Sequence, residues 1–209
     1  RRAKLRDLDE YLDTLSSLYR AIADASEASV VIDSSKNPSF GWVVRHVPGI
    51  DVRFLHVVRD APAVAHSWAQ RKEFEPGRMM ARKTPRRAAL QWDAHNLGTE
   101  MYLRVDGPVK RLRYEDFIRD PRRALADVMA WLGTESAELP LLDDNRVLLE
   151  RRAHSVFGNQ NRFRSGAVAL ELDTRWQTEM DAGAVRTVKL LTQPLRARYG
   201  YLDDTEGAA

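Results

Sequence analysis

Leu5, Leu8, Leu12, Leu15, Tyr19 and Ile22 recur at three- and four-residue steps, with charged residues between them. That period lines the apolar positions along one stripe and predicts an amphipathic helix of about five turns whose role is packing. The pattern then shortens. Ser29, Val30, Val31 and Ile32 read as a short buried strand that runs into the polar loop Asp33-Ser34-Ser35-Lys36-Asn37. Pro38 suits the first turn of a helix over residues 39–46, which Val47-Pro48-Gly49 ends, and a second strand is predicted over 50–58. Its run of β-formers stops at Arg59-Asp60, and after Ala61-Pro62 the small residues 63–69 read as a helix. Strand, helix, strand, helix in this rhythm predicts an α/β fold, a parallel sheet flanked by helices.

Downstream, residues 71–85 are polar, interrupted by Pro76 and Gly77, and read as a mobile loop or lid or, equally, a plain surface loop. Residues 86–105 predict a long helix with Ala89, Leu90, Trp92, Leu97, Met101 and Tyr102 as apolar positions. Gly107-Pro108 turns the chain into a strand over 109–113, and Tyr114-Glu115-Asp116-Phe117 follows it. Asp120-Pro121 is an N-cap with proline at the first helical position; the helix 122–132 buries Leu125, Val128 and Met129, and Gly133 stops it. Residues 134–144 are irregular, 154–166 carry no core pattern, a closing helix is predicted over 184–199, and 202–209 read as a disordered tail. Without a repeat or a linker, residues 1–201 are expected to form a single domain.

Composition narrows the class. With 209 residues, 44% of them hydrophobic and 30% charged, the chain has the make-up of one soluble globular domain. No window approaches the roughly 18–20 apolar residues of a membrane span, and the start lacks the apolar core of a signal peptide. Zero cysteines exclude disulfides, thiolate catalysis and cysteine-bound zinc, and the expected compartment is the cytoplasm. The net charge is only +3, with arginines interleaved with acids. That argues against a nucleic-acid surface and favours a small anion gripped by guanidinium forks. Because residue 1 is Arg rather than Met, the chain reads as an incomplete copy of a longer protein.

Four polar clusters remain once the core is assigned: Asp33-Ser34-Ser35-Lys36; Arg59 with Ser67; Tyr114-Glu115-Asp116; and Arg162-Phe163-Arg164-Ser165-Gly166. Three follow predicted strands, so a parallel sheet brings them to one edge, where helix amino termini favour anions. Two arginine-bearing clusters and a serine suit a doubly charged, phosphate-like group, each charge-assisted bond contributing about 1.5–3 kcal/mol. Plainer readings stand beside these. Arg59-Asp60 reads equally as a strand-end salt bridge, Ser67 as a solvated or back-bonded hydroxyl, Tyr114-Glu115-Asp116 as a capping feature, and Asp33 as the cap of the next helix. His46, His56, His66, His95 and His154 share no spacing and read as structural or exposed, with His154 opening the Gly/Asn-rich stretch. Trp42 and Trp68 are candidates to line an acceptor pocket.

In order along the chain, IDSSKNP, LHVVRDAPAVAHSW, LRYEDFIRDPRRAL and SVFGNQNRFRSG resemble the sulfotransferases that use 3′-phosphoadenosine 5′-phosphosulfate, their bacterial members in particular, over residues 11–201. The resemblance implies a sulfotransferase of the P-loop nucleoside-triphosphate-hydrolase-like architecture. Arg59 and Ser67 match the pair that holds the donor's 3′-phosphate. Arg162, Arg164, Ser165 and Gly166 match the late basic loop that closes on it, and Tyr114 a tyrosine near the adenine. Lys36 falls near the reaction centre, with Asp33, Ser34 and Ser35 sharing that candidacy. The implied reaction moves a sulfuryl group to a hydroxyl or amine of a small molecule or glycan, leaves adenosine 3′,5′-bisphosphate, and calls for no metal. Lys36 would stabilise charge on the transferring group, and Asp33 would accept a proton or orient Lys36. One family element is missing: no Ser/Gly-rich loop for the 5′-phosphosulfate precedes Asp33, so the first strand and its loop are expected to be absent from this chain. The competing readings are a nucleotide-dependent kinase, which would want a Gly-Lys-Ser/Thr loop and a magnesium carboxylate, and a non-catalytic binding protein that retains the fold. Residues 71–85 and 134–152 carry no readable acceptor chemistry.

Overall fold

Asn37 begins the first well-capped helix of the chain. Its side-chain oxygen accepts from the Ser39 amide at 3.0 Å and the Ser39 hydroxyl at 2.8 Å, with Pro38 at the first helical position. In this computed structural model, which describes residues 2–71, 73–75, 78–79, 81–103, 107–134, 139–149 and 165–202, that helix is α2, Pro38–Val44. It follows α1, Arg2–Ser26, 25 residues long and so longer than the apolar repeat alone predicts. Both belong to the first of two compact units, Arg1–Leu55 with Leu97–Val109. Leu15, Val44 and Val47 are buried there, and the Ser16 hydroxyl donates to the Pro48 carbonyl at 3.0 Å. Leu8 and Ile22 of the α1 stripe stay exposed, as do Tyr11 and Leu18 beside it.

Residues 29–32 depart from the expected buried strand. They form no strand, and Ile32 is 90% exposed. A strand is held by ladder bonds to a neighbour, and none of the strands in the described residues pairs with this segment. For the strand expected over 50–58, only the second half is regular: β1 is Phe54–Val58.

The second unit, His56–Asn96 with Lys110–Ala209, holds the larger core. α3, Ala61–Ala69, and α4, Pro85–Leu103, supply Ala61, Ala65, Ala88, Ala89 and Trp92 to it. Their small residues pack in one cluster with Val58, Val188, Leu195, Tyr199 and Tyr201. β1 pairs with β4, Val109–Arg113, in a small parallel sheet. Residues 71–85, read as a loop, contain a short antiparallel pair, β2 (Glu73–Glu75) and β3 (Arg78–Met79). After β4 come α5, Tyr114–Arg119, and α6, Pro121–Leu132, the latter capped by the Asp120 carboxylate on the Arg123 amide at 3.0 Å. A second antiparallel pair joins β5, Arg146–Leu149, to β6, Gly166–Ala169.

α7, Trp176–Glu179, precedes two closing helices, α8 (Ala182–Leu191) and α9 (Gln193–Arg198). The single closing helix expected over 184–199 is broken at Thr192, where Pro194 brings no amide to continue the ladder and instead opens the next helix. Residues 203–209, read as a tail, lie outside the described residues.

Gly133 ends α6 at φ 71, a left-handed conformation with open space where a Cβ would stand. Gly133→Ala should therefore cost about 1 kcal/mol through the backbone alone. Gly133→Asn should cost less, since asparagine tolerates this region. Urea unfolding of the two variants checks the order.

Candidate functional site

The carboxyl ends of β1 and β4 meet in one hydrogen-bonded network. The Asp60 amide donates to Glu115 Oε1 at 3.0 Å, so the residue that leaves β1 is tied to the first turn of α5. Tyr201 Oη lies 2.7 Å from Glu115 Oε2 and 3.0 Å from the Val58 carbonyl; its one proton serves the shorter, charge-assisted contact best. Burial, and then the Glu115 charge, push the Tyr201 phenol well above its ordinary value, which keeps it a donor. Asp60 caps α3 through Oδ1, which accepts from the Ala61 amide at 2.8 Å. The same carboxylate receives Arg196 Nε at 2.7 Å and Nη2 at 3.2 Å, and Nη2 also donates to the Tyr201 carbonyl at 3.0 Å. The Arg196 side chain is 3% exposed. The strand-end salt bridge is therefore not Arg59 with Asp60: the Asp60 carboxylate pairs with Arg196, and the acid beside Arg59 is Asp173.

Arg59 is fixed at its backbone and incompletely engaged at its side chain. Trp92 Nε1 donates to the Arg59 carbonyl at 3.0 Å. The guanidinium lies 5.0 Å over the Tyr114 ring, and Nη2 donates to the Asp173 carbonyl at 3.0 Å, with the Asp173 carboxylate at 3.8 Å. Nε is buried and has no hydrogen-bond partner among the described residues. A buried, unmatched guanidinium donor is unfavourable and is relieved when an anion enters. Ser67 is half-buried on α3, the helix that opens directly after Asp60.

The structure therefore unites Arg59 with Tyr114, as a parallel sheet should. Ser165 is exposed and Gly166 opens β6 at φ 88. Arg162, Arg164 and His154 lie outside the described residues.

In the first unit, Asp33 organises its own loop. Its Oδ1 accepts from the Ser35 amide at 2.7 Å and from the Ser35 hydroxyl, and its Oδ2 from the Tyr19 hydroxyl at 2.5 Å. Burial alone would raise the carboxyl, but the Ser35 and Tyr19 bonds outweigh it and hold Asp33 below its ordinary value. Asp33 is thus a weak base with three hydrogen bonds already accepted. Lys36 is exposed and its ammonium donates to the Ser34 carbonyl at 3.2 Å.

Several participants escape a reading of the sequence. Arg196 and Tyr201 sit in the ordinary-looking RARYGYLD, and Asp173 and Arg175 flank a featureless turn. His66, read as structural, is buried, with Nε2 3.1 Å from Glu179 and 2.9 Å from the Gln70 amide group. The Glu179 partner lies 113 residues away along the chain, a range that no local pattern encodes.

No protein-family model matches the sequence, and neither does any curated protein. Among solved structures, the chain is similar in fold to a sulfotransferase domain from the curacin biosynthetic pathway. The TM-score is 0.63 at 16% identity, over 89% of this chain and 68% of that one. The likeness places the chain in a sulfotransferase-like fold. No helix in the described residues is long and apolar enough to cross a membrane.

Two measurements test this geometry. Arg196→Leu strands the Asp60 carboxylate in the interior and should cost about 3–5 kcal/mol, and adding Asp60→Asn should recover part of the loss. Asp33, held below its ordinary 3.8, contributes stability that is present above that value and fades as pH falls through the lowered one. Tyr19→Phe removes one of its bonds, so a carboxyl-carbon NMR titration should show Asp33 moving up toward 3.8.

Proposed function

We propose that this chain is a sulfotransferase of P-loop-like architecture that takes its sulfuryl group from 3′-phosphoadenosine 5′-phosphosulfate and leaves adenosine 3′,5′-bisphosphate. The observation that carries the reading is the Arg59 guanidinium at the end of a parallel strand. It is stacked on Tyr114, has one buried donor unmatched, and is followed by α3 with Ser67. A 3′-phosphate suits that arrangement: it offers several acceptor oxygens to a fork that is already aimed, and the dipole of α3 adds to the attraction. Tyr114 serves as a platform with one face against Arg59 and its body beside the adenine. Arg162, Arg164, Ser165 and Gly166 are proposed to complete the phosphate's ligands.

For the transfer itself the acceptor is a hydroxyl or amine of a small molecule or glycan. Its lone pair attacks sulfur, the bond from sulfur to the 5′-phosphate oxygen breaks, and the acceptor proton passes to a base. Lys36 is assigned to charge on the transferring group, since an ammonium with a single weak carbonyl contact is readily redirected. Asp33, depressed and already accepting three hydrogen bonds, is better suited to holding Ser35 and the loop than to taking that proton. Ser35 shares the candidacy through its hydroxyl. The proposed compartment is the cytoplasm.

Calorimetry with adenosine 3′,5′-bisphosphate tests the reading. Binding should weaken about ten- to a hundredfold in Arg59→Ala, the equivalent of one charge-assisted bond, and by a few-fold in Ser67→Ala. Equal affinity in the wild type and Arg59→Ala, or binding of ATP with Mg²⁺ in place of the bisphosphate, overturns it.

A further inference from the structure

Opposite the unmatched edge of Arg59 lies an acid that already has another cation. The Asp173 carboxylate is 3.8 Å from Arg59 Nη2 and is held bidentately by Arg175, Nε to Oδ1 at 2.8 Å and Nη2 to Oδ2 at 2.9 Å. Its Oδ1 also accepts from the Arg175 amide at 3.2 Å, so the two residues form one tight turn. One carboxylate thus stands between two guanidiniums, and the three groups together carry a net single positive charge. The Asp173 side chain is only 30% exposed, whereas that of Arg175 is 64% exposed. Arg175 is therefore held at the solvent side of the same pair of acids and bases that covers Arg59.

We propose that Asp173 is a built-in counter-anion for Arg59, and that Arg175 is a second guanidinium of the same anion site, engaged when a phosphate dianion displaces the carboxylate. The inference rests on the reading of Arg59 as a phosphate ligand and adds to it the residues that govern access. The chemistry favours exchange. A phosphomonoester brings nearly two negative charges and three acceptor oxygens where the carboxylate brings one charge and two. The backbone bond from Arg59 to the Asp173 carbonyl does not involve the carboxylate, so the guanidinium stays aimed while its counter-ion leaves. Arg175, once released, has its full planar fork available for phosphate oxygens. Hydrogen bonding from Arg175, the first of several causes, holds the Asp173 carboxyl far below its ordinary value, so it is an anion at any working pH.

One further acid bears on the same segment. Glu179 adds its charge near Arg175 and faces His66, while the Tyr114 ring lies against the Arg59 guanidinium. The turn is thereby tethered at both ends, through Arg59 and through His66, which confines the exchange to the side chains of Asp173 and Arg175.

Calorimetry at fixed ionic strength, with adenosine 3′,5′-bisphosphate and adenosine 5′-monophosphate as probes, separates the possibilities. Asp173→Asn should tighten the bisphosphate about three- to fivefold, the scale of one partly exposed ion pair, and leave the monophosphate unchanged. Arg175→Ala should weaken the bisphosphate by a similar factor. If Arg59→Ala abolishes binding while Asp173→Asn weakens it or leaves it alone, Asp173 is a strut and the inference falls. If Arg59→Ala binds like the wild type, the phosphate reading itself falls, and this inference with it. A measurement on the unaltered protein guards against misfolded variants: the Arg175 Nε–H signal should shift on adding the bisphosphate, and a signal that stays fixed at saturation overturns the exchange.

Discussion

The ion pair between Asp60 and Arg196 is the constraint on which the functional end of the second unit depends. Bringing a carboxylate and a guanidinium together at 3% exposure for the arginine is costly in desolvation, and the pair alone does not repay it. What offsets the cost is that nearly every polar atom is used. Asp60 accepts from Arg196 twice and from the Ala61 amide, and Arg196 spends its remaining Nη2 proton on the Tyr201 carbonyl. The chain leaves β1, starts α3 and receives the end of α9 at this one carboxylate. Such a pair does more to specify a unique arrangement than to add stability, because any alternative packing strands a charge.

From that anchor follows the state of Arg59. A residue next to a buried acid would ordinarily be consumed by it, as a strand-end salt bridge. Here Arg196 occupies the acid, Trp92 takes the Arg59 carbonyl, and Glu115 takes the Asp60 amide. The Arg59 carbonyl and the Asp60 amide are thus held by side chains from two separate elements, while among the described residues the Arg59 side chain retains a buried, unmatched donor. A fixed backbone beside an incompletely paired side chain is an arrangement whose ordering cost has already been met, which is the physical basis of the binding proposed for Arg59.

Much of this was legible in the residue pattern, and the failures have physical causes. The cap at Asp120 and the stop at Gly133 were readable because capping is local chemistry, settled within three or four residues, whereas α2 is capped by Asn37 and not by Asp33, whose carboxylate bonds Ser35 and Tyr19 instead. The meeting of Arg59 with Tyr114 was readable from topology, since paired parallel strands present their carboxyl ends on one edge. The buried strand over 29–32 was not realised, because four apolar residues make a strand only where a neighbour supplies the ladder. Arg196, Tyr201, Asp173 and Glu179 were invisible for the same kind of reason. Their partners lie between 86 and 143 residues away along the chain, and no periodicity encodes a contact of that range.

Three arginines of this unit show why the residue type matters more than the charge. Arg196 uses Nε and Nη2 toward one buried carboxylate and is structural. Arg175 makes the same two-pronged contact with Asp173, but from solvent, where such a pair is worth little and can be given up. Arg59 lies between these limits, partly buried, stacked on an aromatic ring and bonded through a single nitrogen. A lysine in its place would offer one compact charge with no face to stack and no fork to divide between a carbonyl and an anion. The depth of burial thus sorts chemically identical side chains into a buried anchor, a surface pair and a partly engaged guanidinium, and it does so through the different desolvation each has already undergone.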